Sequence, residues 1–139
     1  MGNRYIALSV VLYVAGSVSD NLMTWWFVVH TGKFVELNPF MRGFIASYPL
    51  WVWFLRDLAG FAAIVFASLA FRWFVLRSSV REPPDVRVKL ESIAGKYWVI
   101  PLTAASFRLL PAIHDALTVA GYETPLPDIL LRWVISLSP

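Results

Sequence analysis

The sequence predicts an all-α integral membrane protein: a helical bundle of three transmembrane helices, with short interfacial helices and a short apolar C-terminal helix. Three observations predict it. Hydrophobic residues make up 58% of the 139 residues and charged residues 15%, against about 25% charged in ordinary soluble domains. Three apolar runs are each long enough to cross a hydrocarbon core of about 30 Å. Each run also carries ionisable residues: Asp20 in the first, Arg56 and Asp57 in the second, Arg108, His114 and Asp115 in the third. A charge in a hydrocarbon layer is costly, so such residues face a protein interior and mark a pairing or functional site. A soluble fold of this length could not bury seven Trp, ten Phe and five Tyr together with its aliphatic residues. The length fits one domain, residues 1–139.

The first span reads as about residues 5–30. A polar stripe of Ser9, Tyr13, Gly16/Ser17, Asp20 and Thr24 recurs at three- and four-residue spacing on one side of a helix. The other side is Ile, Leu, Val and Trp, suited to lipid. The start, Met1-Gly2-Asn3-Arg4 before an apolar run, imitates a signal peptide, but no cleavage site follows and the run continues to Val29. Ile6 stands where a myristoylation motif needs Ser or Thr. A link over 31–38 follows, with Gly32 as the helix stop and Asn38-Pro39 as N-cap and first-turn proline of a short interfacial helix over 39–47.

The second span covers about 49–71. Its small residues Gly60, Ala63, Ala67 and Ala70 predict a face that packs against another helix, with Arg56 one turn before them. Residues 72–96 form a basic linker holding Arg72, Arg77, Arg81, Arg87, Lys89 and Lys96. Pro83-Pro84 break the second helix there. Val86, Leu90 and Ile93 then share a face of a short amphipathic helix that Gly95 ends. By the positive-inside rule this linker and the N-terminus are cytoplasmic, which makes the chain a multi-pass protein of the cell membrane. The third span covers about 97–122, opens on the interfacial pair Tyr97-Trp98, and is kinked by Pro111. The tail over 127–139 is apolar but short; a fourth span requires it to cross a thinned bilayer.

Depth connects the charges. At about 1.5 Å per residue, Asp20 lies roughly 15 Å from the outer end of its helix, and Arg56 and Asp115 each lie about 10 Å from theirs. Arg108 is deeper, two turns from Asp115 on the same face. The formal sum over Asp20, Arg56, Asp57, Arg108 and Asp115 is −1, and a protonated His114 would make it zero. Near-neutrality at matched depth predicts that these groups meet, because buried charges persist by pairing. Arg56 and Asp57 point about 100° apart on a helix, so one is expected to face the cluster while the other snorkels or contacts another subunit.

Two readings of the cluster follow. It pins the helices in register through ion pairs, or it forms a site in which Asp20, Thr24, His114 and Asp115 hold a cation or relay a proton. His114 is read first as a hydrogen-bonded packing residue. Glu36-Leu37-Asn38-Pro39 is at once a helix cap, through Asn38, and a carboxylate, Glu36, at the outer mouth of the cluster. Cysteine is absent, which excludes disulfides and cysteine-held iron–sulfur clusters. No HExxH, GxSxG, P-loop or Rossmann pattern occurs. No metal site and no cofactor are therefore expected, and the local basic excess indicates orientation in a bilayer, not nucleic-acid binding.

Asp20-x-x-x-Thr24, then Glu36-x-Asn38-Pro39-Phe40-Met41, then an embedded basic residue in the next span, resembles an uncharacterised family of small polytopic prokaryotic membrane proteins, a domain of unknown function. The resemblance covers about the first half of the chain. It implies an integral membrane location and a helical fold, with Asp20, Thr24, Glu36, Asn38 and Pro39 as hallmark positions. The family carries a lysine in the second span, where this chain has Arg56. The resemblance implies no activity. Asp115-x-x-Thr118 and Glu123-x-Pro125 echo the first copy at different spacings and do not make an inverted repeat.

Three functions remain open on these residues. The first is an oligomeric membrane protein whose Asp/Arg/His cluster binds or relays a proton, cation or small polar solute. The second is an accessory subunit of a larger membrane complex, its charges pairing only for assembly. The third is an intramembrane enzyme acting on lipid or prenyl substrates through Asp20, His114 or Asp115 as acid or base. Three spans enclose little volume, so homo-oligomerisation or a larger complex is expected in the first case.

Overall fold

The computed structural model describes residues 2–33, 35–36 and 39–122, and every regular element among them is helical. Asn38 and the tail over 127–139, including its short apolar helix and the fourth span, lie outside the described residues.

Helix α1, Gly2–Thr24, runs on into a wider π-helical segment, Trp25–His30. Five-residue spacing brings side chains onto one face of a π-helix, and Trp25 stacks on His30 with ring centroids 5.4 Å apart. The segment ends at Gly32, whose φ of +62° lies in the left-handed region that glycine enters without steric cost. Lys33 N–H then reaches back to the Phe27 carbonyl at 3.0 Å.

The buried face of α1 is its polar and small one: Ser9, Gly16, Ser17 and Asn21. Leu8, Val11, Val18 and Leu22 point outward, Val11 at 64% exposure. This is the reverse of a soluble amphipathic helix, which buries its apolar stripe. On α3, Leu50–Ser79, the buried face is mixed, with Asp57, Ser68 and Ser79 beside Trp53, Phe61 and Val75, while Trp51, Leu55, Phe66 and Phe74 are exposed. Two helices, Gly2–His30 and Leu50–Ser79, are long and apolar enough to cross a membrane. Only 22% and 11% of their most apolar stretches are buried within the protein.

Helix α2, Pro39–Ser47, precedes α3. Pro49 sits in extended conformation just before α3 begins, and the Trp53 indole N–H donates to the Tyr48 carbonyl at 2.9 Å, fixing the corner between them. Helix α3 runs eight residues beyond the end expected at Phe71. Nothing from Arg72 to Ser79 breaks a helix, and the stop comes only near the Pro83-Pro84 pair. Helix α4, Pro84–Gly95, follows, carries an exposed Arg87–Glu91 pair at 2.8 Å, and packs on α3. Its inward face is Val86, Leu90 and the fully buried Ala94; Ile93, expected on that face, is 51% exposed.

Helix α5, Val99–Val119, continues without interruption through Pro111. Its 21 residues reach about 31 Å at 1.5 Å each, but with Arg108, His114 and Asp115 in it the helix is not among those apolar enough to cross a membrane by composition. It packs chiefly on α1, and the two run parallel: Tyr5 stacks on Trp98 at 4.2 Å at one end, and Thr24 lies beside His114 and Asp115 at the other. Helix α3 is antiparallel to both, with Tyr13 stacked on Phe61 at 4.1 Å and Ser17 bonded to Asp57. Tyr97, expected at a lipid interface, is instead buried; its hydroxyl donates to Asn3 Oδ1 at 2.7 Å and clamps the start of α1.

The small-residue face expected to pack on a neighbouring helix does not do so within this chain. Gly60, Ala63, Ala67 and Ala70 are all exposed, and a Cβ built on Gly60 meets nothing within 4 Å. Helix α3 turns Trp53, Asp57, Phe61 and Ser68 inward instead. The physical reason is the relative cost of the two faces. Small apolar residues lose little when left outside, whereas Asp57 finds Ser17, Asn21 and Arg108 only by facing α1 and α5, so it sets the rotation of the helix.

Candidate functional site

Close approach of α1 and α5 builds the centre. Gly16 lies directly against α5: a Cβ there would stand 2.9 Å from the Arg108 carbonyl oxygen. Removing that one side chain lets Arg108 extend between α1 and α3. Its Nη1 pairs with Asp20 Oδ2 at 2.7 Å, and its Nη2 pairs with Asp57 Oδ2. The Nε stays buried with no hydrogen-bond partner among the described residues.

Asp57, 7% exposed, accepts from four residues among those described. Its Oδ2 also accepts from Ser17 Oγ at 2.7 Å and from Asn21 Nδ2 at 2.9 Å. Its Oδ1 accepts from Arg56 Nε at 3.1 Å and Nη2 at 2.8 Å. Charge-assisted bonds of this kind are about twice as strong as neutral ones. Two cations and two neutral donors therefore satisfy a carboxylate that would otherwise be stranded away from water.

Arg56 and Asp57 bond to each other, which corrects the expectation that they diverge toward separate partners. The long guanidinium arm folds back along the helix surface and spans the angle between adjacent positions. It also reaches α2, with Nη1 3.1 Å from Met41 Sδ and the guanidinium carbon 4.6 Å from the Phe44 ring centroid. Asp20, Arg56, Asp57 and Arg108 thus form one connected network whose formal charges cancel.

The remaining candidate residues gather elsewhere. Thr24, Glu36, His114 and Asp115 line a separate cavity of about 350 Å³ at the far end of α1 and α5, walled by Met23, Phe27, Val28, Val35 and Val119. The π-helical segment supplies Phe27 and Val28 to this wall. The Glu36 segment is held by Arg42, which donates to the Glu36 carbonyl through Nε at 3.0 Å and Nη2 at 2.7 Å. Asp115 lies within electrostatic range of Asp20, Glu36, His114 and Arg108, yet makes no ion pair with Arg108 or Arg56. The single cluster expected from matched depth is therefore two: a neutral network in the middle of the helices and an acidic cavity above it. Among the described residues no three His, Asp or Glu side chains gather as a metal-ligand set.

Asn21 is the participant that charge-led reading passes over. Its signal was its spacing, four residues after Ser17 on the stripe that faces Asp57. No protein-family model, curated protein or solved structure matches the chain. What the site can do follows from its own chemistry.

Proposed function

We propose that this is a multi-pass membrane protein with α1, α3 and α5 as its three spans, and that its outward cavity binds a small solute bearing a positive charge. The membrane setting is supported by the inverted burial of α1, polar inside and apolar outside, and by the many large apolar side chains exposed on both α1 and α3. Arg4, Arg72, Arg77, Arg81, Arg87, Lys89 and Lys96 fall toward one end, the cytoplasmic one by the positive-inside rule. The cavity of Thr24, Glu36, His114 and Asp115 then opens toward the other.

One observation carries the reading. The cavity brings Glu36 and Asp115 together around a space of molecular size with apolar walls. Two formal negative charges in a half-apolar recess suit an ammonium group on a short hydrocarbon body. A carboxylate in such a recess is worth about tenfold or more in affinity for a cationic partner.

Calorimetric titration of the full chain in detergent with n-butylammonium and with butanoate tests this. The cation is expected to bind, the isosteric anion not, and Asp115→Asn to weaken the cation at least tenfold. Equal binding of both probes, or an unchanged affinity in Asp115→Asn, refutes the reading. Flux of the cation into liposomes separates a transporter from a protein that only holds its ligand, and Asp20→Asn asks whether the central network takes part. A second reading, an assembly subunit of a larger complex, is supported by the uncovered Gly60, Ala63, Ala67 and Ala70 face, which suits close approach of another helix. Stable co-purification with larger partners favours it.

A further inference from the structure

The opposite end of the molecule carries a second recess of different chemistry. It measures about 530 Å³ and is lined by Gly2, Asn3, Arg4, Arg72, Gly95 and Tyr97. Two guanidinium groups face it and no carboxylate lines it. Among the described residues neither Arg4 nor Arg72 makes an ion pair, whereas Arg56, Arg87 and Arg108 each do. Its floor is rigid. Tyr97 is buried and bonded to Asn3, the Arg72 guanidinium carbon stands 5.0 Å from the Tyr97 ring centroid, and Gly2 packs so closely on Tyr97 that an added Cβ would come within 2.6 Å of the ring.

Arg72 also borders an apolar recess on the outer surface, formed with Leu69, Trp73, Leu76 and Arg77. Trp73 is exposed there, and Arg77 lies over its ring at 5.2 Å. A cationic recess and an apolar groove thus share one arginine at the end of the helices where basic residues concentrate.

We infer that this pair of recesses binds an anionic phospholipid, its phosphate between Arg4 and Arg72 and an acyl chain along Leu69, Trp73 and Leu76. Guanidinium forks match phosphate oxygens in number and geometry. Basic pockets between membrane helices on the cytoplasmic side recognise anionic headgroups in this manner. The adjoining groove selects lipid over free phosphate, because only a lipid fills both. The inference shares the membrane setting proposed above but not the outward cavity, so failure of n-butylammonium binding leaves it standing.

Native mass spectrometry of the purified full chain, titrated with phosphatidylglycerol or phosphatidylcholine, is the test. Phosphatidylglycerol is expected to bind more tightly, and Arg4→Gln and Arg72→Gln each to weaken it about fivefold, the effect of one basic group near an anionic headgroup. Arg87→Gln, on α4 outside the recess, is expected to leave the affinity unchanged. Excess inorganic phosphate is expected not to displace the lipid. Arg4 is exposed at the start of α1, so Arg4→Gln carries the test even if Arg72→Gln fails to fold. Three results each overturn the inference: equal binding of phosphatidylcholine, displacement by inorganic phosphate, and an Arg87→Gln loss as large as that of Arg4→Gln.

Discussion

Arg108→Met is expected to cost about 3–5 kcal/mol of stability, the penalty for removing one partner of a buried ion pair. Methionine has nearly the volume of the lost side chain, so the change isolates charge from packing. The cost is large because Arg108 alone joins α5 to both α1 and α3 through Asp20 and Asp57. Asp57 keeps Ser17, Asn21 and Arg56, but Asp20 loses the cation that pairs with it. Thermal melting of the full chain in detergent, followed by circular dichroism, reads the loss. Adding Asp20→Asn to Arg108→Met is expected to recover much of it, since Asp57 keeps Arg56 as its counter-ion and no charge in the network is left unpaired. A single variant that melts with the native protein would show that the network does not hold the helices together.

Gly16→Ala is expected to destabilise by about 1–3 kcal/mol, the range for overpacking a filled interface. Alanine is otherwise the better helix former by about 1 kcal/mol, so the sign of the effect is diagnostic. Its Cβ would meet the Arg108 carbonyl oxygen at 2.9 Å and the Leu109 nitrogen at 3.2 Å, both backbone atoms that cannot swing aside. The two helices would have to part, which also draws Arg108 away from Asp57. Gly60→Ala is the matched control: it lies in a long apolar helix with open space around it. It is expected to be neutral or stabilising by up to about 1 kcal/mol. If Gly16→Ala proves as stable as Gly60→Ala, the α1–α5 contact is not as close as described.

Much of this was legible in the chain. Depth matched Asp20, Arg56 and Asp115, with Arg108 deeper, and predicted one cluster that also took in Asp57 and His114; the ion pairs join Asp20, Arg56, Asp57 and Arg108 and leave Asp115 out. The polar stripe of α1 was legible from three- and four-residue spacing, and the π-turn, the Asn21 amide and the split of the cluster into two were not. Depth along a helix fixes height but not azimuth, so Asp115 and Arg108, two turns apart, can serve different spaces. Helix α3 offered two plausible inner faces, the small one through Gly60 and the polar one through Asp57. Sequence spacing marks both equally, and the bonds that Asp57 makes to Ser17, Asn21 and Arg108 choose between them. The extra turns of α3 past Phe71 were hidden because basic residues suggest a surface without stopping a helix.

The parallel pairing of α1 with α5 sets an order on biogenesis. If the three helices cross a bilayer as proposed, Asp57 emerges beside Arg56 and has a cation at once, but Asp20 must wait for Arg108, 88 positions later in the chain. The nascent hairpin of the first two spans is therefore an unfinished unit carrying a stranded acid. A chain truncated before residue 108 would keep that acid without its guanidinium partner.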